Sequence, residues 1–510
     1  MKIRLIPLSF ALLPVLAASA AVPDAEELRP HAIFGSNMVI QRESPVTVWG
    51  KARPGGTVEV SLAGNTVRAT AGTDGNWRAE LPAIAVPGGS YRLRIAGKRE
   101  FLFDNVTAGD IWVCSGQSNM EWPVRSALNA RQEIAAADHP GIRIFTVPQQ
   151  AAYEQRDDLA ASPWRVCSPR TIGWFSAVAY FFGRELNREL NVPVGLIDAS
   201  WGGTSISPWL PLSLVERDPE LRPIAERYDR QRARMTPEAV AAYDRTVAEW
   251  QKNPKPPRPD APWGRSQYHP GTLYNAMIAP LFPLRIKGVV WYQGEANAKR
   301  ARQYRKLLRL LVTTWRTQWR QEMLPFLIVQ LPNYRGGRIV PEEGQWAELR
   351  EAQYLATRLP GTALAVTCDI GEPENIHPLN KQEVGRRLAL AALKQFYGCE
   401  LIHSGPVFEQ ARFDRGRAEV SFTHIGGGLE VRNPPLRYFE LAGKDRRFHP
   451  ASARIDGNRI IVESLSVPEP VAVRYAWKNN PEGCNLYNRE GLPAMPFRSD
   501  NWPGVTDRNR

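Results

Sequence analysis

With 510 residues, 43% of them apolar and 23% charged, the chain is globular in composition and too long for a single hydrophobic core. Its formal charge of +13 is spread along the sequence, mostly as arginine, with no block of like charge long enough for a nucleic-acid-binding tail. Its five cysteines, at 114, 167, 368, 399 and 484, show no CxxC spacing, so no zinc or redox site is predicted, and an odd number leaves at least one thiol unpaired.

In chain order, a basic start (Lys2, Arg4), an apolar run over 5–18 and the small triplet Ala18-Ser19-Ala20 have the form of a secretory signal peptide, residues 1–20. No other stretch approaches the ~18 apolar residues of a membrane span. The expectation is a secreted or periplasmic protein with no membrane attachment once the signal is cleaved. Residues 21–106 read as an N-terminal β-sandwich, with alternating runs at 46–50, 58–62 and 91–95 between glycine-rich turns. Its predicted role is to brace the next domain rather than to bind glycan.

From 107 to 398 apolar strand candidates at 111–113, 194–197, 288–291, 326–329 and 363–366 alternate with amphipathic segments at 174–190, 301–320 and 381–397. That alternation predicts an α/β domain, a parallel sheet with helices on both faces. A charged, helix-like insertion at about 210–262 reads as a helical hairpin followed by a proline-rich loop. Residues 399–510 turn β-rich again, with strand candidates at 418–422, 428–431, 459–462 and 471–475.

The chemistry gathers where those strands end. After the run 111–113, Ser115-Gly116-Gln117-Ser118-Asn119 breaks the strand, and open α/β sheets keep reactive groups at such ends. Ser118 sits in the turn, where its hydroxyl can attack and its own N–H can face the resulting oxyanion. After 194–197 comes Trp201-Gly202-Gly203-Thr204, whose glycines allow a backbone N–H to face a ligand. After 288–291 comes Gln293-Gly294-Glu295, a side-chain donor and an acid. After 363–366 the loop holds Glu374 and, three residues later, His377, just before a predicted helix. Serine activated by histidine, with an acid holding the imidazole, is the logic of a catalytic triad.

The segments 116–120 (Gly-Gln-Ser-Asn-Met), 201–204, 273–281, 291–295 (Trp-Tyr-Gln-Gly-Glu), 376–382 (Ile-His-Pro-Leu-Asn-Lys-Gln) and 487–494 together resemble the sialate O-acetylesterase family of SGNH hydrolases. The resemblance implies an SGNH-type three-layer α/β core and a serine esterase that removes O-acetyl groups from sugars without metal or cofactor. Ser118 would be the nucleophile, His377 the base, and Ser118, Gly203 and Gln293 the oxyanion donors. The acid is either Glu295 or Glu374. SGNH hydrolases carry Asp three residues before the histidine, where this chain has Glu374; related carbohydrate esterases use the Glu of the Gln-Gly-Glu motif, here Glu295. Asn119, Trp122 and Trp201 are assigned to substrate binding, and Trp209 and Trp263 also lie beside motifs. The expected partner is an acetylated carbohydrate, sialic acid or a plant cell-wall glycan such as xylan or xyloglucan, and no nucleic acid. Rival readings are a non-catalytic glycan-binding protein on a degenerate hydrolase domain and a thioesterase or lipase-like enzyme. The oligomeric state is not legible.

Overall fold

The computed structural model describes residues 28–253, 259, 261, 264–335 and 344–509. The predicted signal peptide, most of the proline-rich stretch 252–259 and Trp263 lie outside them. One strand, β1 (Glu100–Gly116), organises the rest. Over its first residues exposed and half-buried positions alternate, as on a sheet with one wet face, and from Val106 to Gly116 every residue is buried. The first half pairs antiparallel with the strand Gly88–Ala96, and residues 107–109 run parallel to Val39–Gln41. The second half is the middle strand of the large, mostly parallel sheet.

The region around this sheet contains, in chain order, α1 (Ser118–Glu121), β2 (His139–Thr146), β3 (Arg165–Cys167), α2 (Ala177–Leu190), β4 (Val194–Ser200) and β5 (Gly288–Tyr292). It continues through α3 (Ala301–Trp319), β6 (Phe326–Val329), α4 (Gln345–Ala356), β7 (Thr362–Ala365) and α5 (Lys381–Phe396). The strands lie in the order β3-β2-β4-β1-β5-β6-β7, all parallel except the edge strand β3. Successive side chains of a strand face opposite sides, and the tryptophans show both sides covered. Trp112 of β1 meets Phe182 of α2 edge-on at 5.0 Å, whereas Trp291 of β5, level with Ser115, meets Trp315 of α3 at 5.8 Å. The α3 stripe Tyr304, Leu307, Leu308, Leu311, Val312, Trp315 and Trp319 is buried at helical spacing. The α/β, three-layer expectation is therefore met.

The strand candidates read from the sequence at 46–50, 58–62 and 91–95 fall within the strands Val46–Lys51, Thr57–Leu62 and Gly88–Ala96. The inserted segment forms three helices, Leu212–Arg217, Arg222–Arg232 and Pro237–Lys252, rather than the two of a hairpin. At the C-terminal end two four-stranded antiparallel sheets and a two-stranded pair are stitched to the core by Arg350. This fully buried guanidinium donates to the carbonyls of Leu331 and Pro332 in the core and of Lys478 and Asn479 beyond it, at 2.7–2.9 Å. All five cysteines are free thiols; Cys368 and Cys484 face each other across the same seam with sulfurs 3.7 Å apart.

Candidate active site

Register decides what meets at the top of the sheet. Ser115 and Gly116 of β1 lie level with Ala199 and Ser200 of β4 and with Trp291 and Tyr292 of β5. The three strands therefore end together, and the loops bearing Ser118, Gly202–Gly203 and Gln293–Glu295 converge. Only glycine fits at 116: its φ is +141°, and a Cβ there would lie 2.0 Å from the Tyr292 carbonyl oxygen. The turn it permits places Ser118 at the start of α1, whose first N–H groups have no partner within the helix.

Ser118 Oγ and His377 Nε2 are 2.8 Å apart, across 259 positions of sequence. The loop that carries His377 is shaped by Glu372 and Asn375. Glu372 accepts from the Leu379 N–H at 2.7 Å and from Asn375 Nδ2 at 3.0 Å, and Asn375 Oδ1 accepts from the His377 N–H at 3.0 Å. The imidazole lies flat on the Trp122 indole, with ring centres 4.8 Å apart and planes 19° from parallel. Burial, and secondarily the Lys381 ammonium, hold the His377 pKa below its usual value, which favours the neutral ring that a general base requires.

Neither acid predicted for the triad hydrogen-bonds His377. Glu374 has the right spacing, but its side chain is 65% exposed and turns outward to an ion pair with Arg335 at 3.5 Å. Glu295 is half-buried with its carboxyl enclosed; it accepts from Asn119 Nδ2 at 2.5 Å, and burial raises its pKa. Asn119 is itself fully buried and fully engaged. Its Nδ2 also donates to the Ile376 carbonyl at 2.9 Å, and its Oδ1 accepts from Lys381 Nζ at 2.5 Å. The assignment of Asn119 to substrate contact is thereby corrected: Asn119, next to Ser118, ties that turn to the residue before His377.

Lys381, the first residue of α5, was read from the sequence only as a helix start. It is completely buried, and burial pushes its pKa down to about 7 against the opposing pull of Glu295 and Glu372.

The oxyanion donors are also revised. Gln293 is fully buried, and its Nε2 is shared among Gln117 Oε1 (3.1 Å), Asn297 Oδ1 (2.8 Å) and the Thr204 carbonyl (3.3 Å), leaving no hydrogen for a substrate. The Gly202 N–H is taken by Glu121 Oε2 at 2.5 Å. The N–H groups of Ser118 and Gly203 donate to no acceptor among the described residues. Gly203, at φ +74°, is exposed, and Gly202 packs against Ser118, where an added Cβ would lie 3.4 Å from that of the serine.

Of the tryptophans, Trp122 and Trp201 are half-buried near the site, whereas Trp209 is interior packing, edge-on to Trp291 at 6.1 Å. Among the described residues no cluster of three or more His, Cys, Asp or Glu could hold a metal, and no helix is long and apolar enough to cross a membrane.

The family model described as carbohydrate esterase, sialic acid-specific acetylesterase matches residues 108–240 and 239–394, more than half of the chain. The chain belongs to this family. As a member of this carbohydrate esterase family it is an ester hydrolase. A carbohydrate acetylesterase from Xanthomonas citri superposes with a TM-score of 0.81 at 38% identity, covering 93% of this chain and 100% of that one. Sialate O-acetylesterase of Mus musculus is 29% identical over 90% of this chain and 92% of its own length. The Homo sapiens enzyme of the same name is 28% identical over 91% of each. The family match spans the stretch from β1 to α5, where Ser118, Gly203, Glu295 and His377 lie.

Proposed function

We propose that the chain is an exported serine esterase that removes O-acetyl groups from carbohydrates through an acetyl-enzyme. The observation that carries this reading is the 2.8 Å contact between Ser118 Oγ and His377 Nε2 at the mouth of three parallel strands. Ser118 Oγ attacks the acetyl carbonyl as His377 Nε2 takes its proton. The tetrahedral oxyanion is received by the free N–H groups of Ser118 and Gly203. His377 returns the proton to the departing sugar hydroxyl, then draws one from the water that hydrolyses the acetyl-enzyme. Stacking on Trp122 fixes the plane of the imidazole. Glu295 and Lys381 act at one remove, through Asn119, by holding the Ser118 turn and the His377 loop in register. Export rests on the signal-peptide pattern of residues 1–20. The substrate is an acetylated carbohydrate: sialic acid, for which the Mus musculus and Homo sapiens relatives are named, or a plant cell-wall glycan such as xylan or xyloglucan.

The test is acetate release from acetylated sialic acid, xylan, xyloglucan and a small chromogenic acetate, with the native protein and Ser118→Ala. Loss of release in the variant supports the serine mechanism, and the ranking of substrates names the sugar. Release undiminished in Ser118→Ala would overturn it.

A further inference from the structure

Trp174 is the one exposed tryptophan among the described residues, with 73% of its surface open to solvent. It lies in a short ribbon of two paired segments, 122–126 and 173–177, joined at the single bridge Pro123–Ser176 and continued by a 3-10 turn over Val124–Ser126. The Val124 N–H donates to the Phe175 carbonyl, the Arg125 N–H to the Gly173 carbonyl, and the Ala177 N–H to the Trp122 carbonyl, at 2.8–3.0 Å. Ser176 Oγ closes the ribbon onto α1 by donating to the Met120 carbonyl at 2.6 Å. Val124 and Phe175 are buried, whereas their neighbours Arg125 and Trp174 are exposed and lie against each other.

There the Arg125 guanidinium lies over the Trp174 ring, which holds the indole in place. Arg125 is exposed and pairs with no carboxylate among the described residues, so its remaining donors are open. The same ribbon starts from Trp122, which stacks on His377. Arg125 is the third residue after Trp122, about 10 Å or less between their Cα atoms.

We propose that Trp174 and Arg125 form a glycan subsite beside the acyl site, where a pyranose ring other than the one bearing the scissile acetyl rests its C–H face on the face of the indole that Arg125 leaves open, while Arg125 backs the other face and holds the indole in place. An open aromatic face offers apolar contact to a ring whose edges remain in water, and a cation on the opposite face fixes the platform. The proposal rests on the carbohydrate-esterase reading and adds to it how a chain of sugars is presented to Ser118.

Steady-state kinetics on an acetylated xyloglucan oligosaccharide and on a small chromogenic acetate test it, with native protein, Trp174→Ala, Trp174→Phe and Arg125→Ala. Trp174→Ala should raise KM for the oligosaccharide about tenfold at unchanged kcat and leave the small acetate untouched; Trp174→Phe should retain most of the affinity and Arg125→Ala lose a smaller part. Binding of the deacetylated oligosaccharide, read by calorimetry, should weaken by the same factor in Trp174→Ala. An unchanged KM for the oligosaccharide, or an equal loss on both substrates, would overturn the subsite with the esterase intact. Absent esterase activity in the native protein, with Trp174-dependent binding retained, would instead sink the hydrolytic reading and keep the subsite.

Discussion

His377 is surrounded by an unusual set of neighbours for the proposed general base: an indole beneath it, an ammonium nearby and no carboxylate at hydrogen-bond distance among the described residues. Since burial and Lys381 both lower its pKa, the ring stays neutral to more acidic pH than a free histidine at ~6.5. The acid limb of kcat/KM should accordingly fall below pH 6.5. In Lys381→Met it should move up only part of the way, because burial is the larger cause. A limb at or above 6.5 in the native enzyme would contradict that assignment.

The two carboxylates the sequence offers should behave differently. Glu374→Ala removes an exposed ion pair worth about 0–1 kcal/mol and should leave kcat/KM within about twofold to threefold. Asn119→Ala strands a buried ammonium and a buried carboxyl, so it should cost about 1–3 kcal/mol or more of stability and lower kcat. Denaturant titration and kinetics on the two variants check both. Ser118 and His377 were legible because each closes a local pattern, a strand breaking into small residues and a loop entering a helix. The orientation of Glu374 was not, because it is set by Arg335 rather than by spacing. The burial of Lys381 depends on Asn119, 262 positions away, and no local window contains that.

Elements carry the same lesson in their periodicities. The strand candidates at 111–113, 194–197, 288–291 and 326–329 were plain because they are nearly unbroken apolar runs, as a parallel sheet covered on both faces demands. β2 escaped notice because Arg143 interrupts its run, although that arginine is buried. The α4 helix escaped because it buries Glu348, Arg350 and Gln353, polar side chains paired with distant backbone. At the junction of β1 and α1, Gly116→Ala would drive a Cβ into the Tyr292 carbonyl at a φ that L-residues avoid. It should cost at least about 3 kcal/mol and spread Ser118 away from His377. Thermal melting together with acetate release measures both effects; a variant with native stability would mean the turn relaxes freely.

Across the whole molecule, the parts flanking the sheet are joined to it by buried polar contacts as well as by apolar packing. Arg350→Ala leaves the Leu331 and Lys478 carbonyls without a donor, takes one of two donors from those of Pro332 and Asn479, and opens a cavity in place of a guanidinium. The expected loss is about 3 kcal/mol or more, and unfolding should become less cooperative as the C-terminal sheets loosen from the core. A single sharp transition at the native Tm would show that the seam holds without Arg350. β1 makes an equivalent junction at the other end, within one uninterrupted strand. A break in the chain near residue 106 would leave two frayed sheet edges, each missing the partner on which its register depends, and both would invite pairing with other chains. The N-terminal β region is therefore not a cassette to be exchanged or trimmed. Recombination, proteolysis or domain shuffling at that point would damage the strand that leads into Ser118, so the two parts are expected to be inherited together.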